Sequence, residues 1–222
     1  MSDEAGSDKS IRESQNADTA GSVSGAVKFE KARLGEDTPA WSRVSSGRVA
    51  DCRVFQVRRD LSRNPLDNRE HDFYVLEAPD WINIIPLTVN DEVVMIEQYR
   101  HGTNSVTLEI PGGMVDSGES PQHAAARELL EETGYAATSE ILFLGKTRPN
   151  PALQNNWIHT YLARGVEFKS APLFDSTEHT SVRLVPLKDV PALITDGIID
   201  HALVVVCFHF LSLHTQGLVP NK

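Results

Sequence analysis

Glu128, Glu131 and Glu132 lie within five residues of one another and form the densest chemical feature of this 222-residue chain. The surrounding segment predicts a helix. Ser120 suits its N-cap, Pro121 its first position and Gly134 the residue after its last turn. At spacings of three and four the carboxylates share one helix face, and Ala124, Ala125, Leu129 and Tyr135 can supply much of the buried side. Like charges so placed destabilise a bare helix by about 0.2–0.5 kcal/mol per pair. A divalent cation offsets that repulsion directly, and oxygen-rich, sulfur-free ligands select a hard ion such as Mg²⁺ or Mn²⁺. An E-x-x-E-E run taken alone more often means a solvated acidic face. Two neighbours change the balance: Gly112-Gly113 lets the backbone approach a ligand closely, and Arg127 can pair with Glu119 to fix the preceding loop against the helix.

The full spacing is Gly113, five residues, Glu119, seven residues, then Arg127-Glu128-Leu129-Leu130-Glu131-Glu132-Thr133-Gly134-Tyr135. It resembles the Nudix box at every specified position, with Tyr135 where an aliphatic residue is more usual. A chance match is on the order of one in a million, so the resemblance outweighs the solvated-face reading. It implies an α/β protein: a Nudix-type α/β/α sandwich around a mixed β-sheet, with an N-terminal antiparallel strand region. It also implies roles. Glu128 and Glu132 match the metal ligands, Glu131 is an additional or alternating ligand with a catalytic part, and the Gly112 carbonyl completes the inner shell. Arg127 and Glu119 match the structural pair, and Glu119 reaches a metal through water. Mg²⁺, or Mn²⁺ in its place, would neutralise a diphosphate and lower the pKa of a bound water. In-line attack then gives a nucleoside monophosphate and a second phosphate-bearing product.

The flanks bear on substrate. Glu97-Gln98-Tyr99-Arg100 and Leu108-Glu109-Ile110-Pro111-Gly112-Gly113 resemble the ADP-ribose and nucleoside-diphosphate-sugar pyrophosphatases, as does Pro151, sixteen positions beyond Tyr135. Relatives commonly follow that proline with Ser-Pro-Gly and a glutamate; here Asn155 and Asn156 stand nearby and would offer amides to a sugar or phosphate. Arg100 is a candidate phosphate or adenine contact, with a structural ion pair as its rival. Glu178 resembles the loop glutamate that serves as general base, with His179 an alternate and a plain solvated acid the competing reading. His159 reads as a satisfied core or edge histidine. Trp41 and Phe55 are candidates to stack on a base, since relatives form homodimers in which that region lines the partner's pocket.

Composition agrees with this picture. A net charge of −10 opposes a nucleic-acid partner but suits a cation-bridged small phosphate. No apolar run reaches the ~20 residues needed to cross a bilayer, so no membrane partner is expected. Cys52 and Cys207 read as reduced thiols of a cytoplasmic protein, and no secretory pattern is visible. Residues 1–27 lack large apolar side chains and are expected to be a disordered tail; residues 28–222 form the domain, with 28–75 used in dimerisation. Strands are expected at 71–77, 82–88, 93–98, 105–110, 141–147, 157–163 and 181–186, with one or two more between 28 and 64. Helices are expected at 190–194 and 202–213. The substrate expected first is ADP-ribose or another nucleoside-diphosphate sugar. The alternatives are a different nucleoside diphosphate derivative, such as a dinucleoside polyphosphate, and a non-catalytic nucleotide-sensing module.

Overall fold

The computed structural model describes residues 38–173 and 179–218. The expected tail, residues 1–27, and Glu178 lie outside that set. The body of the structure is the unit Trp41–Lys222. Its centre is a seven-stranded mixed sheet. The main path is β12 (Thr180–Pro186), β5 (Glu92–Arg100), β4 (Trp81–Leu87), β10 (Ile158–Arg164) and β9 (Leu142–Thr147). Off this path, β6 (Ser105–Glu109) pairs with β5 and β7 (Gly112–Met114) pairs with β4. Only the β4–β10 pairing is parallel, with Ile158 opposite Trp81 and Ala163 opposite Pro86; the other pairings are antiparallel.

Both faces of this sheet are covered, and alternation along β4 shows how. Ile82 and Ile84 pack with Ala124, Ala125 and Leu129 of α1 (Pro121–Thr133). Ile85 and Leu87 face the other way, onto Val204, Cys207, Phe208 and Leu211 of α3 (Ala202–Thr215) and Val190 of α2 (Val190–Thr195). A strand buried on both sides must read as a continuous apolar run, and Ile82, Ile84 and Ile85 are fully buried. The expected α/β/α sandwich is what the chain forms. No helix among the described residues is long and apolar enough to cross a membrane.

The N-terminal strand region is a three-stranded antiparallel sheet of β1 (Ser42–Asp51), β2 (Gln56–Arg63) and β3 (Glu70–Glu77). All ten residues of β1 are exposed, so no alternating apolar pattern marks the strand in the sequence. The structure also refines the reading around Pro111. The strand expected at 105–110 stops at Glu109, and Gly112–Met114 then forms β7, with Gly113 opposite Ile82 and Gly112 opposite Asn83. A two-stranded pair, β8 (Tyr135–Ala136) with β11 (Glu167–Phe168), was not anticipated.

Helix α1 carries the glutamates and is capped at both ends as its sequence implies. The Ser120 hydroxyl accepts from the His123 N–H at 3.2 Å, and Pro121 opens the first turn. Gly134 ends the helix at φ 74°, its N–H donating to the Leu130 carbonyl. A Cβ at Gly134 would lie 1.9 Å from the Ser170 carbonyl oxygen, so the position excludes larger residues sterically as well as conformationally. Gly134→Ala should therefore destabilise the protein by more than the roughly 1–2 kcal/mol of the left-handed backbone alone. Urea unfolding followed by circular dichroism measures this, and an unchanged midpoint would refute the cap assignment.

Candidate active site

Arg127 organises the acidic face of α1. Its Nη1 donates to Glu128 Oε1 at 2.8 Å and to Glu131 Oε2 at 3.0 Å. Its Nε and Nη2 engage both Glu119 oxygens at 3.1 and 3.0 Å, and Nη2 also reaches the Met114 carbonyl. One guanidinium thus ties the loop after β7 to the helix, as the planar fork of arginine permits. The hydrogen bond to Glu119 leads the interactions that hold Arg127 well above the ordinary arginine pKa, despite its burial. The same contact, helped by the Asp116 N–H, holds Glu119 below the usual carboxylate range.

Glu128 and Glu132 are buried, while the Glu131 side chain is 41% exposed. Glu132 Oε2 accepts the Gly112 N–H at 3.0 Å, and the Thr180 hydroxyl donates to the Glu132 carbonyl. Gly113 makes room for this arrangement, because a Cβ there would lie 2.2 Å from Glu128 Oε1. At Gly112 a Cβ would meet the Ile82 carbonyl at 2.6 Å. The glycine pair therefore lets β7 pass directly beneath the carboxylates.

This donor set suits a hard divalent cation. It consists of carboxylate oxygens on one helix face, two of them buried, against a glycine strand that leaves space beside Glu128. Among the described residues, no three His, Cys, Asp or Glu side chains converge as a ready-made cluster. Glu128 and Glu131 are instead drawn to the Arg127 guanidinium, which occupies the cationic position between them.

The carboxylates line a cavity of about 850 Å³ with Gly112, Gly113, Met114, Asp116 and Arg127. Phe55, Leu76, Trp81 and Ile158 give it an apolar wall. Gln98, Arg100 and His201 also line it. Arg100 donates to both Glu109 oxygens at 2.7 Å, His201 Nδ1 lies 2.7 Å from Glu109 Oε2, and the Thr107 hydroxyl donates to Glu109 Oε1 at 2.6 Å. Burial alone would raise the pKa of Glu109, but Arg100, His201 and Thr107 outweigh it and hold the carboxyl far below the usual range.

The expected site residues divide. Gly112, Glu128, Glu131, Glu132, Arg127 and Arg100 come together around the cavity, with Glu119 bonded to Arg127 behind them. Arg100 makes the structural ion pair with Glu109 and also lines the cavity. Phe55 lines the cavity of its own chain. Trp41 does not; it packs edge-on against His71 and Phe73.

The loop after β9 departs from expectation. Pro151 and Asn155 are exposed, and neither they nor Asn156 lines the cavity. Asn155 accepts the Ala78 N–H, and buried Asn156 donates to the Pro79 carbonyl, so both amides tether the β3–β4 connection. Their neighbour Gln154 reaches the cavity instead. His159 is partnered as expected, its Nε2 3.0 Å from Asp80. His179 is exposed, next to the undescribed Glu178. Cys207 is a buried thiol pushed up to about 11 by burial, and Cys52 is exposed.

Sequence reasoning gave no role to Glu109 or His201. A glutamate between Leu108 and Ile110 in a strand otherwise apolar at that end was the available signal for a buried charge.

A mixed sheet between helices, with an arginine-braced carboxylate helix over a glycine strand, defines a class of fold and site. A family model, the NUDIX domain, matches residues 79–205, and the chain belongs to that family. A methanol dehydrogenase activator of Bacillus methanolicus is 30% identical over 80% of this chain and 93% of its own length. An ADP-ribose pyrophosphatase of Bacillus subtilis is 27% identical, covering 81% and 94%. Among solved structures, the crystal structure of an ADP compounds hydrolase superposes with a TM-score of 0.70 at 26% identity, covering 81% of this chain and 97% of its own.

Glu109→Gln leaves half-exposed Arg100 facing a neutral amide and should destabilise the fold by about 1–3 kcal/mol at neutral pH. Because the folded pKa of Glu109 lies below its unfolded value, the stability it confers is fully present above about pH 4.3 and is lost as pH falls toward the folded value. The stability gap between wild type and variant should accordingly narrow below about pH 4.3, read from urea midpoints across pH. A gap that widens with acid would contradict the assignment.

Proposed function

We propose that this Nudix hydrolase cleaves the diphosphate of ADP-ribose or another nucleoside-diphosphate sugar, giving a nucleoside monophosphate and a sugar phosphate. The observation that carries the reading is the pairing, in one cavity, of the α1 carboxylates with an aromatic-lined apolar wall and the Arg100 guanidinium. The first would hold cations against the diphosphate, the second accommodates a base, and the third presents charge to a phosphate. The names of the Bacillus subtilis relative and of the structural neighbour point the same way.

Glu128, Glu131, Glu132 and the Gly112 carbonyl would hold Mg²⁺, or Mn²⁺ in its place, with Glu119 in support. When bound, the ions supply charge neutralisation and an activated water. Arg127 then keeps the loop and Glu119 in register with the helix. Leu173 and Thr180, which flank Glu178 in sequence, line the cavity, and this supports Glu178 as general base. The open β1–β2–β3 sheet, with Val44, Val49 and Tyr74 exposed, suits a homodimer interface within residues 28–75. A cytoplasmic location accords with the two unpaired cysteines.

Purified protein assayed with ADP-ribose, UDP- and GDP-sugars, NADH and diadenosine polyphosphates tests the substrate. Turnover of a nucleoside-diphosphate sugar is expected with Mg²⁺, and hydrolysis unaffected by excess chelator would overturn the reading. Glu132→Gln should lower kcat by roughly 10²-fold or more with the fold retained. Glu178→Gln should act mainly on kcat, and an effect confined to KM would rule out a base.

A further inference from the structure

Arg100, Gln98 and His201 form a polar stretch of the cavity wall on which the metal chemistry does not draw. His201 stands just before α3, and its side chain is 35% exposed. An ionised Glu109 can only accept, so the ring's Nδ1 must donate to it. That fixes both the tautomer and the plane of the imidazole, since Glu109 is itself held by Arg100 and Thr107. Nε2 has no hydrogen-bond partner among the described residues and is the ring nitrogen left for the cavity, an acceptor when the ring is neutral.

Gln98 adds an independent observation. It is 91% buried by its 9% residual exposure, and its Oε1 has no hydrogen-bond partner among the described residues. A buried amide left in this state costs the fold stability, so a ligand hydroxyl that satisfied it would be bound selectively. The terminal amide torsion is soft, which lets either end of the group turn toward the cavity.

We propose that His201 and Gln98 form a polyol-recognition subsite that reads the hydroxyls of the substrate's sugar, with Glu109 as the positioning residue that orients His201. A sugar presents both donors and acceptors, and this wall offers an acceptor in His201 Nε2 and both in the Gln98 amide. A second nucleobase would instead require a flat apolar surface, which the cavity provides at Phe55 and Trp81. The inference rests on the diphosphatase reading above and deepens it, by making the sugar rather than the base the moiety selected here.

The test compares kcat/KM for ADP-ribose with that for the β-methyl ester of ADP, which keeps the adenosine and the diphosphate diester but lacks the terminal sugar. The readout is the ratio of the two in wild type, His201→Ala, His201→Gln and Gln98→Met, with thermal midpoints alongside. Loss of one hydroxyl contact should lower the ratio about tenfold in His201→Ala and Gln98→Met. His201→Gln restores a hydrogen-bonding group at the position of Nε2 and should recover part of the ratio. Gln98→Met should melt no lower than wild type, because it removes an unsatisfied buried amide. A merely structural role would depress both substrates together and leave the ratio unmoved, which overturns the subsite while leaving the diphosphatase reading intact. A wild type that cuts neither compound, nor any other nucleoside-diphosphate sugar, overturns the parent reading and the subsite with it.

Discussion

The site depends on how a single guanidinium is shared. Arg127 sits among Glu119, Glu128 and Glu131 and also bonds the Met114 carbonyl, so helix, loop and glycine strand meet at one planar cation. Without it, three carboxylates packed on one helix face would repel one another and the loop would lose its anchor. With it, the acidic face is stable in the protein alone. Glu128 and Glu131 each share their charge with a cation that the protein itself supplies.

Around that point the cavity separates its tasks by chemistry. The α1 carboxylates line one part of it, and Phe55, Leu76, Trp81 and Ile158 form an apolar wall. Arg100, Glu109 and His201 supply polarity there, and the buried Glu109 carboxylate is held ionised by Arg100, His201 and Thr107. An overall charge of −10 is therefore compatible with an anionic substrate: the cations that the substrate meets are few and local.

The sequence was most informative where local rules decide structure. Ser120, Pro121 and Gly134 marked both ends of α1, and the spacing of Arg127, Glu128, Glu131 and Glu132 marked its function, because a helix turns spacing directly into proximity. The strands of the central sheet were legible as apolar runs. Strand β1 was not, since all its residues are exposed and its apolar members Val44 and Val49 fit no alternating pattern. The polar corner was equally hidden. Glu109 meets Arg100 nine residues away and His201 ninety-two residues away, and only the closed fold brings the last of these near. Asn155 and Asn156 show the opposite case: amides on a loop suggest either ligand contacts or a plain turn, and here they satisfy backbone groups of the β3–β4 connection.

The parallel pairing of β4 with β10 has a kinetic consequence. The Asn156–Pro79 and Trp157–Asp80 contacts at its start join residues 77 positions apart, and β5, β6, β7 and α1 all lie inside the loop so closed. Closing a long loop must be met in chain entropy before its contacts stabilise anything, and such topologies fold slowly. The carboxylate helix and the strand beneath it can form early, as neighbours in sequence. The apolar wall contributed by Ile158 is complete only once the chain has closed on itself. The cavity is thus a property of the closed chain, not of the α1 segment that carries its carboxylates.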